Sequence, residues 1–344
     1  MLVLISGGDD LGESRKITVE NTPDWAHCWG RWSKGDVFIH SHRVPSADIF
    51  MKANLVVYYI YPNMLESPKA FEIFCDTVSR IQCPIVFEWC CLMEKWPYSQ
   101  YAEHLPRFLQ GQGDKVMFDY YADPNHCDEE QGVGLRSDLM VNCRPVTFSK
   151  PYFDTNYHKW LYPQTPEKDG TILVIHAPMD HERNGYWSHK YASDLAELES
   201  TKYYTHQGYS DTWTGYAHPF LSTRCVSIRD GENLGMSQKF YEDRVRHSSL
   251  AIVCDSRPWM GRFAMDLAAA QTPLLCTSDN LLHRVLFGHI AAPCWHDYKS
   301  VIGHGRALMN GEVEDAGKIA YDNLNLVDGK DIVDEVHEKL GVSF

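Results

Sequence analysis

Four charged residues, Asp255, Arg257, Arg262 and Asp266, crowd the stretch SLAIVCDSRPWMGRFAMDLAAAQTPLLCTS at 249–278. The chemistry this set suits is the holding of an anion. A guanidinium at a helix start adds to the unpaired N–H groups and the dipole that already favour negative charge there. An ordinary structural reading stands beside this one, because Asp is common near helix starts and an Arg there is usually solvated. Further candidates lie elsewhere. Glu88, Glu94 and Asp119 fall within or just after apolar runs, and a carboxylate in an apolar strand is uncommon without a partner. Each could serve as a general base. Asp9, Asp10 and His42 follow other short apolar runs.

The elements that must position these residues can be read from hydrophobic patterning. Within 249–278, Leu250–Cys254 is an apolar run, Pro258 and Gly261 mark a turn, and Phe263–Ala270 is Ala-rich. Gln271-Thr272-Pro273 then leads to a second apolar run, Leu274–Thr277. The pattern predicts strand, loop, helix and strand, a parallel unit whose loop lies at the carboxyl edge of the sheet, where ligands of open α/β sheets bind. Similar runs at 2–6, 36–42, 54–61, 84–91, 115–121 and 138–143 predict a first parallel sheet, with a helix over 68–81 carrying Phe71, Ile73, Phe74 and Val78 on one side. A second alternating series begins at 171–176 and continues through a helix at 189–198, a strand at 224–228 and a helix at 235–247. Helices are expected at 316–323 and 331–340.

The fold class expected is α/β, with two Rossmann-like domains facing a central cleft. The first spans 1–155, and 156–170, which is rich in proline, reads as a linker. The second spans 171–320, and 321–344 is a C-terminal segment whose helix packs back on the first domain. A chain of 344 residues suits two domains of about 150 residues each.

The net charge of −14 argues against a generally basic nucleic-acid binder. The acid is uneven, however: 301–344 is strongly acidic, whereas 201–300 is nearly balanced and rich in Arg, which leaves room for a local anion site. No apolar run approaches the length of a membrane span. The start MLVLISGGDD lacks a basic region and a cleavage site, so a cytoplasmic protein is expected, in the host cytoplasm if the chain is phage-encoded. Eleven cysteines without a C-x-x-C pair read as a buried, reduced set. The histidines lack a converging metal-ligand set, so no metal is expected.

Residues 171–300 resemble the nucleotide-sugar domain of GT-B glycosyltransferases. After Thr171–His176, the segment HAPMDHERNGYW is similar to the family's His/Pro turn followed by a basic residue and a helix-opening Gly, with Arg183 at the basic position and Asn184 where a Lys is usual. RCVSIRDGENLGMSQKFYEDRVRHSSLAIVCDS resembles the family's strand, Gly-containing turn, Tyr-bearing helix and next strand. In the stretch at 249–278, Met260-Gly261 stands for Phe-Gly, Asp266 for the helix Glu, and Gln271-Thr272-Pro273 for Gly-Thr-Pro. The family's first acid falls on Pro258, with Asp255 close by.

The resemblance implies that Asp266 accepts from the donor's ribose. It also implies that Arg183, Arg262, Gly261, His176 and Asp255 line the donor site, although for His176 a core histidine is an equal reading. Pro97-Tyr98-Ser99-Gln100 resembles a segment of phage DNA β-glucosyltransferases that follows the catalytic Asp, and Glu94 is the nearest acid here.

The function expected is transfer of a sugar from a nucleoside diphosphate sugar, UDP-sugar first, to an acceptor hydroxyl, with no prosthetic group. A hydroxymethylated pyrimidine in phage-type DNA is the leading acceptor, which would make DNA a partner. A cell-envelope glycan or small-molecule acceptor, a sugar-nucleotide epimerase and a non-catalytic sugar-nucleotide binder are the alternatives. The sequence leaves the oligomeric state open.

Overall fold

In the computed structural model of the chain, the described residues are 1–6, 15–16, 33, 35–41, 51–60, 67–89, 104–119, 144–146, 153–163, 167–175, 185–206, 224–228, 238–254, 262–276, 281–288 and 297–343. They form two compact units, Met1–Asp154 with Asp328–Phe344, and Thr155–Val327.

Among the described residues, the first unit holds a seven-stranded sheet. Its strands are β1 (Leu2–Ser6), β2 (Arg15–Lys16), β3 (Val37–Ser41), β4 (Leu55–Ile60), β5 (Ile85–Trp89), β6 (Val116–Asp119) and β7 (Arg144–Val146), in the order β2-β3-β1-β4-β5-β6-β7. All pair in parallel except the short edge strand β2, which is antiparallel to β3. Strands buried on both faces read as continuous apolar runs, and Leu2, Val3, Leu4, Val56, Val57, Ile85, Val86 and Phe87 are fully buried. Helix α1 (Pro68–Arg80) follows β4. It starts where predicted because Ser67 caps it, its hydroxyl accepting from Ala70 N at 3.2 Å, and Pro68 fits the first turn. Its Phe74 and Val78 pack with Tyr58, Phe87 and Leu109 in one apolar cluster. Leu109 comes from α2 (Leu105–Gln110).

The second unit begins with helix α3 (Thr155–Leu161). That segment was expected to be linker, and the difference has a plain cause. The prolines at 151, 163 and 166 flank TNYHKWL without interrupting it, so nothing in those seven residues forbids a helix. Strands β8 (Ile172–Val174), β9 (Tyr203–His206), β10 (Cys225–Ile228), β11 (Leu250–Ile252) and β12 (Leu274–Leu275) form a fully parallel sheet in the order β10-β9-β8-β11-β12. Helices α4 (Gly185–Leu198), α5 (Gln238–His247), α6 (Arg262–Ala269), α7 (Leu281–Phe287), α8 (Tyr298–Met309) and α9 (Ala316–Asn323) follow in turn. The chain returns to the first unit at Asp328 and ends in α10 (Ile332–Leu340). Phe153 and Asp328 form a parallel bridge, so the outgoing and returning segments lie side by side within the first unit. The strand expected at 138–143 lies outside the described residues, and β7 follows it.

The turn from α6 into β12 is tight. Gln271, which stands where the GT-B pattern has Gly, is left-handed at φ 53°. Gly317 of α9 approaches that turn so closely that a Cβ on it would lie 2.2 Å from the Gln271 carbonyl oxygen. A left-handed side chain costs about 1–2 kcal/mol. Gln271→Gly should therefore raise the unfolding free energy by about 1 kcal/mol in a denaturant titration. Gly317→Ala should lower it by about 3 kcal/mol, since the obstacle is backbone that cannot swing aside.

Candidate functional site

In the second sheet, β8 is the central strand from which the chain winds first one way, to β9 and β10, and then the other, to β11 and β12. The reversal lies between β8 and β11, which pair directly through Leu250↔Ile172 and Ala251↔Leu173. In open α/β sheets the loops leaving such neighbouring strands diverge, and the crevice between them is where ligands bind. The segments that follow these two strands are 176–184, after which α4 begins, and 255–261, after which α6 begins. The fold thus sends out, from adjacent strands on one edge, the two segments that carry most of the sequence-derived candidates.

His176, Arg183, Asp255 and Gly261 belong to these segments and lie outside the described residues, as does Glu94 with the segment that follows it. Arg262 is the first residue of α6. In the first unit, Glu88 lies in β5 and Asp119 ends β6. These strands pair as far as Phe87↔Phe118, so Glu88 and Asp119 occupy the next position along neighbouring strands, at the carboxyl end of that sheet.

Asp266 is the fifth residue of α6, and the helix around it is buried on every side from Phe263 to Ala270. Its carboxylate is fully buried. One oxygen meets His158 Nδ1 of α3 at 2.9 Å, and the other accepts from the Tyr241 hydroxyl of α5 at 2.8 Å. With Asp266 ionised, Nδ1 carries the hydrogen it donates. His158 and Tyr241 were not among the expected site residues. His158 was overlooked because its segment was taken for linker. A run of eleven residues free of Gly and Pro, 152–162, between two prolines was the available signal.

The opposite end of α6 is held by a second polar cluster. Lys168 Nζ donates to Arg246 O at 2.7 Å, Ala270 O at 3.1 Å and Thr272 Oγ1 at 2.6 Å, and Thr272 donates in turn to Val245 O at 2.6 Å. These carbonyls close α5 and α6, and a cation there satisfies oxygens that the helices leave unpaired. Thr272 of the Gln-Thr-Pro turn thus joins the ends of two helices. Nearby, Arg244 donates to Asp169 at 2.8 Å and lies over the Tyr204 ring. Burial alone would push the Asp169 carboxyl up, but hydrogen bonds from Thr171 and Arg244 outweigh it and hold it below its ordinary value.

No protein-family model and no curated protein matches the sequence. Solved structures do match. A UDP-forming α,α-trehalose-phosphate synthase from Burkholderia xenovorans, in complex with glucose-6-phosphate, superposes with a TM-score of 0.62 at 9% identity, covering 99% of this chain and 100% of that one. An α-glucosyltransferase bound to UDP and a 13-mer DNA gives 0.59 at 10% identity, covering 88% and 84%. An Anabaena protein in complex with UDP and glucose gives 0.51 at 10% identity, covering 89% and 86%. The fold is that of the GT-B glycosyltransferases. Two Rossmann-like domains are its hallmark, and both units here have the parallel sheets this requires. Among the described residues, no helix of the chain is long and apolar enough to cross a membrane.

Burial pushes the Lys168 ammonium down, from 10.5 to about 8. Between those values the unfolded chain holds a proton that the folded chain has released, so stability rises with pH across that window. Below it, the ammonium is charged in both states and the cost of burying it is felt in full. Lys168→Met removes this linkage. The stability of the wild type relative to that variant should increase from about pH 8 to 10.5 in parallel denaturant titrations.

Proposed function

We propose that the chain is a glycosyltransferase that moves a sugar from a nucleoside diphosphate sugar, with UDP-sugar as the donor, to an acceptor hydroxyl. The observation that carries this reading is the reversal between β8 and β11. The segment with His176 and Arg183 and the segment with Asp255 and Gly261 therefore follow adjacent strands of one sheet, and α4 and α6 begin directly after them. A diphosphate at that edge meets the N–H groups at the starts of α4 and α6, and Arg183 and Arg262 add full positive charge. These groups stabilise the departing nucleoside diphosphate as the bond from its oxygen to the anomeric carbon breaks.

The new bond forms between the acceptor oxygen and the same carbon. The acceptor's proton passes to a carboxylate, for which Glu88 and Asp119 at the carboxyl end of the first sheet, and Glu94 farther along the sequence, are the candidates. No prosthetic group takes part. The acceptor we favour is a hydroxymethylated pyrimidine in phage-type DNA. The likeness to a DNA-bound α-glucosyltransferase and the Pro97-Tyr98-Ser99-Gln100 segment support it, although the net charge of −14 limits any general affinity for DNA.

The test has two parts. Calorimetric titration should show uridine diphosphate binding to the wild type, with Arg183→Ala and Arg262→Ala each weakening it about ten-fold, as expected for loss of a charge-assisted contact. Labelled UDP-glucose should then transfer to duplex DNA containing 5-hydroxymethylcytosine and not to unmodified DNA. Absence of nucleotide binding would reject the whole reading. Binding without transfer to the modified duplex, but with transfer to a small glycoside, would reject only the acceptor.

A further inference from the structure

Helix α6 is an Ala-rich element buried on all sides from Phe263 onward, and Asp266 is the single ionisable residue among its buried positions. A charge in such a place must be matched by hydrogen bonds from the protein. Among the described residues, two other helices contribute to that match. His158 lies in α3, the first helix after the chain enters the second unit, and Tyr241 in α5. Both helices pack on α6. The His158–Asp266 contact spans 108 residues of sequence and the Tyr241–Asp266 contact 25, so three separate segments meet at one carboxylate. Arg262 lies four residues before Asp266 on the same face of α6, about 6 Å along the axis.

We infer that Asp266 is a positioning residue: the buried His158–Asp266–Tyr241 cluster fixes the setting of α6, and with it the helix start and Arg262 that meet the donor diphosphate, in place of a direct carboxylate contact with the donor's ribose. The inference rests on the donor reading proposed above. Its physical basis is that both carboxylate oxygens already have protein partners and the group is fully buried, whereas a ribose ligand must present an oxygen to the cleft. A cluster of this kind acts as a unit. Removing either donor leaves the carboxylate short of a bond it cannot replace from water, and α6 shifts or loosens to recover one.

The test measures the affinity of the full chain for uridine diphosphate and for 2′,3′-dideoxyuridine diphosphate, which lacks the ribose hydroxyls. His158→Ala and Tyr241→Phe should each weaken uridine diphosphate binding about ten-fold, the loss expected for a hydrogen bond to a buried charge. The double variant should be no worse than the weaker single one, because both changes break the same unit. His158→Asn, which restores a donor near the Nδ1 position, should recover most of the affinity. In every variant, the preference for the ribose over the dideoxy compound should stay at its wild-type value.

The inference falls if Asp266→Asn, shown to be folded by circular dichroism, abolishes that preference while His158→Ala and Tyr241→Phe bind like the wild type. It also falls, alone, if the wild type binds and all cluster variants are indistinguishable from it. Tyr241→Phe is close to isosteric, so a failure of the other variants to fold leaves this arm decisive. A folded wild type that binds no uridine diphosphate overturns the donor reading, and this inference with it.

Discussion

The burial of helix α6 is the constraint on which the second unit depends. Every residue from Phe263 to Ala270 is buried, so the helix has no solvent face on which to place a charge. Asp266 is nevertheless there, and the surrounding helices are arranged to accommodate it. At the other end, Lys168 and Thr272 tie off the carbonyls that close α5 and α6. A central helix pinned by polar contacts at mid-length and at its end has little freedom to slide or rotate. The apolar packing supplies most of the free energy of such a core, but it is tolerant of small displacements, whereas hydrogen bonds of 2.6–2.9 Å are not.

Much of this architecture was legible in the residues, and what was not has physical causes. Strands buried on both faces betray themselves as apolar runs, so β1, β4, β8 and, interrupted only by Glu88, β5 stood out. Helix α1 announced its apolar side, whereas its Ser67 cap became visible only in the structure. By contrast β9, with the sequence YYTH, is short and half polar and offers no run to detect. Helix α3 was lost because its proline-rich surroundings look like a linker and only the interval between the prolines is helical.

The candidate site divides along similar lines. Arg262 and Asp266 could be placed on one helix because their spacing falls in a strongly patterned stretch. The partners of Asp266 could not, since nothing local to His158 marks a contact with a residue more than a hundred positions away. The Gln-Thr-Pro turn is an intermediate case. Its likeness to Gly-Thr-Pro is visible in the sequence, but only the backbone explains the family's glycine: position 271 is left-handed, and Gln occupies it under strain.

The chain enters the second unit at Thr155 and leaves it at Val327, and Phe153 and Asp328 are paired where those two passages meet. The second unit is therefore an insertion within the first. On a ribosome this sets an order of completion. Residues 155–327, with the five strands described in them, have been synthesised in full before Asp328 and α10 are made. The first unit, although begun earlier, must wait with an unfinished surface while its neighbour folds, which reverses the usual rule that the N-terminal domain is finished first.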